Sequence, residues 1–158
     1  MAMLLPFFEW CEATFIGQMI RESLWLFPVI EAAHLLALSA LGGALLILDL
    51  RLLGVGLRQP IPEIARDARP WLVGSVTVML LTGIALFLSE SIKCYYNPSF
   101  WVKMTTLPLA LVFTFAIRQP IARRATGDAT MRTRFVALVS IALWLTVAAA
   151  GRWIGFSS

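Results

Sequence analysis

Residues 23–53 read SLWLFPVIEAAHLLALSALGGALLILDLRLL, and this stretch decides the fold. About 20 apolar residues suffice to cross the hydrocarbon of a bilayer as a helix, and this run exceeds that length even with its charged end trimmed. It carries Glu31 and the only histidine of the chain, His34. An ionisable group at the centre of a membrane helix costs about 2.5–3.5 kcal/mol on an insertion scale, and less near the ends. Glu31 and His34 are therefore expected to face other protein or a ligand.

The rest of the chain agrees with a membrane reading. Its 158 residues are 59% hydrophobic, against about 45–50% for a water-soluble domain, and the length suits one membrane domain over residues 1–158. The net charge of +4 comes from 13 basic against 9 acidic residues. Most of the basic residues fall in two loops between apolar runs, which topology explains better than a polyanionic ligand does. No nucleic-acid partner is expected. Cys11 and Cys94 form no metal-binding spacing; both fall near segment ends on one side, so a disulfide between them is open. The opening residues, MAMLLPFFEW, have neither a basic start nor a small-residue cleavage site. The first span is expected to serve as its own uncleaved insertion signal.

Working outward, residues 7–22 mix Phe7, Phe8, Trp10, Phe15, Ile16 and Ile20 with Glu9, Glu12, Arg21 and Glu22. The pattern predicts an amphipathic helix at the membrane surface, or one packed over the mouth of the bundle. Spans are expected at about 24–53, 71–89, 99–117 and 135–154. Residues 63–69 read as a polar connector, with Pro70 at the first position of the second span. Residues 90–96 read as a short loop, and Asn97-Pro98 as the cap and first turn of the third span. The fold class is all-α: a four-helix antiparallel transmembrane bundle with an N-terminal amphipathic interfacial helix. Arg58, Arg66 and Arg69 follow span one, and Arg118, Arg123, Arg124, Arg132 and Arg134 follow span three. Only Lys93 lies between spans two and three. Basic loops stay cytoplasmic, so both termini are expected outside, in the periplasm of a bacterium with this protein in its inner membrane.

That orientation gathers ionisable groups at one depth. Glu31 and His34 lie in the outer part of span one, one turn apart. Lys103 lies just inside span three, Arg152 near the end of span four, and Glu90 closes span two. Left unpaired, three such charges would cost several kcal/mol, comparable to the stability of a small protein. One account is an internal network, Glu31 with Arg152 or Lys103. The sharper account is a haem b site. His34 would bind the iron, Lys103 and Arg152 would neutralise propionates, and Glu31 would orient the imidazole. With one histidine, the sixth ligand would have to be Met104, Met79, Lys103, a neighbouring subunit's group, or none. Gly42 and Gly43, beside Ser39, Ala40 and Ala44, could let two helices approach or make room for a flat cofactor. Hydrolase, zinc-protease and nucleotide-binding motifs are missing. The ExxH of Glu31-Ala32-Ala33-His34 lacks the second histidine of a di-iron site.

Ile20-Arg21-Glu22-Ser23-Leu24-Trp25, Pro28-Val29-Ile30-Glu31-Ala32-Ala33-His34, Leu48-Asp49-Leu50-Arg51-Leu52-Leu53-Gly54 and Asn97-Pro98-Ser99-Phe100-Trp101-Val102-Lys103-Met104 resemble a family of small bacterial inner-membrane proteins of unknown function. More distantly, a histidine in the first main span and a lysine opening a later one are similar to two groups. These are the membrane part of the copper-resistance protein D type and the four-helix membrane protoporphyrinogen oxidase that carries haem b. That likeness implies His34 as axial ligand and Lys103 as a functional lysine. The leading expectation is thus a haem b protein for electron transfer or porphyrin oxidation. The alternatives are an ion or copper transport or handling protein, and a non-catalytic accessory subunit of a larger complex or homo-oligomer. Whether the chain is an enzyme stays open.

Overall fold

The structure, a computed structural model, describes residues 4–56, 58–126 and 128–156. Two short helices, α1 (Leu5–Glu12) and α2 (Phe15–Glu22), precede α3 (Leu26–Leu53) and α4 (Ile61–Ser89). A single short helix, α5 (Ser91–Tyr96), leads into α6 (Pro98–Val112). A π-helical segment (Phe113–Arg118) joins α6 to α7 (Gln119–Arg123), and α8 (Met131–Phe156) completes the described chain. Among the described residues four helices are long and apolar enough to cross a membrane, the third running from Pro98 through Arg123.

Helix α3 packs along α4 and α8, and α8 along α6; α4 meets the third span mainly through its far end, α7. The core follows the bundle axis in three patches. Leu48, Leu52, Ile61, Ile64, Ala65, Ala122 and Ala137 fill the end bearing most arginines. Leu41, Ala44, Leu45 and Leu72 fill the middle, with Met79 and Trp144 against them. Phe8, Cys94 and Phe100, flanked by Phe87, Tyr95 and Trp101, fill the other end.

The span boundaries differ from expectation for identifiable reasons. Helix α3 ends at Gly54, which adopts φ +86° and lets the Val55 N–H reach the Leu50 carbonyl at 2.9 Å. A left-handed glycine of this kind is a common helix stop. Residues 63–69 are helical, not a connector, because α4 starts at Ile61 and runs through Pro70. Pro62 occupies the first turn, where its missing N–H costs nothing, and the Pro60 carbonyl accepts from Glu63 and Ile64. Ile61, Ile64 and Ala65 are buried. Burying two isoleucines contributes about 1.5–3 kcal/mol each, which outweighs the roughly 3 kcal/mol of an interior proline. Residues 90–96, expected as a loop, include α5.

The N-terminal segment is two helices set against the bundle. Thr14 breaks it and caps α2, accepting from the Gly17 N–H at 3.3 Å. Phe8, Cys11, Gly17 and Ile20 face the bundle, while Phe7, Trp10, Phe15 and Ile16 are exposed. A Cβ on Gly17 would come within 2.4 Å of the Leu88 carbonyl oxygen, so only glycine allows so close an approach of α2 to α4. Glu12 pairs with Arg21 and accepts the Ile92 N–H at 2.8 Å, tying α1 to the start of α5. Cys11 and Cys94 are both buried free thiols, not a disulfide.

Candidate functional site

His34 sits on α3 near the end closed by α1 and α5. Its Nδ1 lies 2.8 Å from the Thr82 hydroxyl of α4. Thr82 in turn donates to the Val78 carbonyl at 2.6 Å. A hydroxyl has one proton, so with that proton on Val78 its oxygen accepts from Nδ1–H. This assigns the tautomer and leaves the Nε2 lone pair available, with no hydrogen bond to any described residue. Across α4, a Cβ on Gly83 would stand 3.5 Å from His34 Cε1, an ordinary contact.

Lys103 enters from α6. The α6 start is fixed by Asn97, whose side chain accepts the Ser99 N–H at 2.9 Å, followed by Pro98 in the first turn. The lysine chain lies against α8, where Gly151 leaves room: a Cβ there would stand 3.4 Å from Nζ. The amine is within Coulombic reach of His34 and of Cys94. Among the described residues it forms no ion pair with an acid. So α3, α4, α6 and α8 place an imidazole nitrogen and an ammonium within Coulombic reach of each other, with no ion-paired carboxylate on either among the described residues. Burial pushes the Cys94 thiol up to about 11, with the Glu90 carboxylate adding to the effect and Lys103 and Lys93 opposing it. Burial also raises Cys11. Both thiols are protonated at neutral pH.

The other residues expected here go elsewhere. Glu31 is exposed, and the hydrogen bond on Nδ1 comes from Thr82 instead. Arg152 is exposed and stacks on Phe156, with its guanidinium carbon 4.3 Å from the ring centroid. Met104 is 41% exposed. Met79 packs in the central core, and Glu90 pairs with Lys93 at 3.7 Å. The internal network of Glu31 with Arg152 or Lys103 is not formed. No Cβ built on Gly42 or Gly43 would meet an atom within 4 Å, so neither glycine serves close helix packing inside the chain.

A second polar cluster, absent from the sequence-based expectations, lies nearer the arginine end. Arg118 is fully buried; its Nε donates to Asp49 Oδ1 at 2.6 Å and its Nη2 to the Leu45 carbonyl at 2.7 Å. Ser140 of α8 donates to Asp49 Oδ2 at 2.8 Å. Arg118 Nη1 and the Gln119 amide have no hydrogen-bond partner among the described residues. The π-helical segment ends at Arg118, and the Gln119 N–H reaches back to the Thr114 carbonyl. Arg118 is thus a core residue and not part of the basic connection, where Arg123 ends α7, Arg124 follows it, and Arg132 and Arg134 lie in the first turn of α8. One signal could have located the pair. In a bundle of alternating spans the first and third run parallel, so an acid late in the first lies level with a base late in the third.

Four membrane-length apolar helices joined by short connections, with ionisable side chains turned inward, define a multi-pass helical membrane protein. The chain belongs to the family of unknown function (DUF6644), whose profile matches residues 7–157. No curated protein and no solved structure matches it.

Proposed function

We propose that this protein binds haem b through His34 and serves electron transfer or porphyrin oxidation on the outer side of the bacterial inner membrane. The observation that carries the reading is an unengaged His34 Nε2 within Coulombic reach of a Lys103 ammonium that has no acid partner among the described residues. Haem asks for both, a neutral imidazole for iron and a cation for a propionate. The residues fit in part. His34 and Lys103 suit the group, with Thr82 holding the imidazole tautomer and Gly83 and Gly151 leaving space around the two side chains. Met104 and Arg152 are exposed and do not converge on them, so within one chain His34 alone would hold the iron, and any second ligand would come from another copy.

A bound haem would supply one-electron redox chemistry. The chain's own part would be to fix Nε2 as the coordinating atom, to hold an anionic edge at Lys103, and to keep α1, α2 and α5 over that end. The arginine-rich connections favour retention of the opposite end in the cytoplasm, which would set the haem toward the periplasm. The test is an absorption spectrum of protein purified with haem supplied, oxidised and reduced. A Soret band is expected for the native chain, its loss in His34→Ala, and weaker retention in Lys103→Met. A native chain that folds and shows no Soret band overturns the reading.

A second reading has its own observation. The open faces of Gly42 and Gly43 on α3 suit a docking surface, as in an accessory subunit or homo-oligomer.

A further inference from the structure

At the arginine end, α4 and α7 flank a cleft of about 710 Å³ lined by Pro62, Arg66, Arg69, Pro70, Val73 and Arg123. We propose that this cleft is a binding site for the phosphodiester headgroup of an anionic phospholipid, separate from the His34 site and independent of its reading.

Three observations support it. The first is charge: three guanidiniums line one cleft, and among the described residues none of them forms an ion pair. The acids nearest in sequence, Glu63 and Asp67, are exposed and do not line the cleft. A neighbouring cleft of about 460 Å³ shows the contrast, since its Arg124 and Arg132 share the lining with Asp128, itself 3.6 Å from Arg51.

The second is depth. Helix α4 has 29 residues, about 43 Å at 1.5 Å each, whereas the hydrocarbon is about 30 Å thick. Counted back from Ser89, about 20 residues span that thickness and reach Pro70. Arg66 and Arg69 therefore fall in the headgroup layer. Trp71, 68% exposed, marks the same level, as tryptophans at the lipid–water boundary commonly do. The third is shape. Pro62, Pro70 and Val73 give the cleft an apolar wall beside the arginines, as needed to seat glycerol and the start of an acyl chain below a phosphate. Arginine suits phosphate oxygens because its fork donates two hydrogen bonds at once. Basic pockets between membrane helices commonly hold anionic headgroups.

The experiment is native mass spectrometry of the detergent-purified full chain, titrated with phosphatidylglycerol or with phosphatidylcholine of the same acyl chains. The native chain should prefer phosphatidylglycerol. The triple variant Arg66→Gln/Arg69→Gln/Arg123→Gln should lose roughly a hundredfold of that preference. The double variant Arg124→Gln/Arg132→Gln, in the neighbouring cleft, should keep it. Inorganic phosphate at the lipid's concentration should not displace the lipid. Unchanged preference in the triple variant, equal loss in the double variant, or displacement by inorganic phosphate overturns the proposal, the last by identifying a soluble anion as the ligand.

Discussion

Two polar layers cross this bundle on opposite plans. Near the arginine end, Asp49 and Arg118 meet acid to base, at 1% and 0% exposure, with Ser140 and the Leu45 carbonyl completing most of their bonds. Near the other end, His34 and Lys103 lie within Coulombic reach of each other, and among the described residues neither forms an ion pair with a carboxylate. A buried acid–base pair is neutral as a unit and can be enclosed by its own hydrogen bonds. A pair of bases leaves a lone pair and a positive charge for something outside the chain. The contrast separates a polar cluster that holds helices together from one whose imidazole nitrogen and ammonium have no partner among the described residues.

The largest expected effect breaks the closed layer. Arg118→Met leaves Asp49 buried without its cation, and removing one partner of such a pair costs about 3–5 kcal/mol. Thermal unfolding in detergent should show a matching loss for Arg118→Met and most of it restored in Asp49→Asn/Arg118→Met. His34→Ala should cost no more than the single hydrogen bond it removes, around 1 kcal/mol. If His34→Ala destabilises as much as Arg118→Met, the two layers do not differ in kind.

The second effect tests the open layer through its pH dependence. Cys94 borders that layer, and its thiol is raised from an ordinary 9.0 to about 11. Above pH 9 the unfolded chain releases the thiol proton while the folded chain keeps it. The folded state then binds more protons, so stability falls as pH rises from about 9 to 11. Two pH units correspond to roughly 3 kcal/mol. Unfolding measured across that window should show the decline in the native chain and a flatter profile in Cys94→Ala. Equal slopes in the two proteins would remove Cys94 from the account. Native thiol alkylation should also be slow at neutral pH.

Hydropathy and charge placement made most of the fold legible. Residues 24–53 were readable as a span from length alone, and Asn97-Pro98 as the start of another. The extension of α4 back to Ile61 was not legible, because Pro70 argues locally for a start. What overrides it is burial of Ile61 and Ile64 against Leu48 and Leu52, a tertiary fact. The site was half legible. His34 and Lys103 stood out because charge in an apolar run is costly, but Thr82 gave no such signal: a threonine in a span is unremarkable until its partner, 48 residues away, is known. Asp49 and Arg118 hid for a different reason. Each lies near the end of an apolar run, where a charge reads as boundary rather than core.

A smaller effect sharpens the open layer. Thr82→Val removes the acceptor of the His34 Nδ1 proton while keeping the side chain's shape. Hydrogen bonds between membrane helices average about 0.6 kcal/mol and reach about 1.7, so the stability loss should stay within that range. The informative readout is the imidazole: nitrogen-15 shifts of labelled His34 should report a single tautomer, proton on Nδ1, in the native chain and a mixture in Thr82→Val. A single unchanged tautomer in the variant would mean that Thr82 does not set it.

The smallest effect is one of sign, and it asks whether the open side of the molecule extends to the lipid-facing surface of α3. Gly42 lies inside a helix, and a Cβ there meets nothing within 4 Å in this chain. In an isolated chain Gly42→Ala should therefore stabilise, by up to about 1 kcal/mol, since glycine in a helix interior is worse than alanine by that amount. If a second helix covers that face in the bilayer, the added methyl meets it and the sign reverses, because small residues at such interfaces permit close backbone approach. Unfolding and chain stoichiometry measured together for Gly42→Ala separate the two. A gain in stability with stoichiometry unchanged leaves α3 facing lipid. A loss that accompanies dissociation makes the same face an interface between copies.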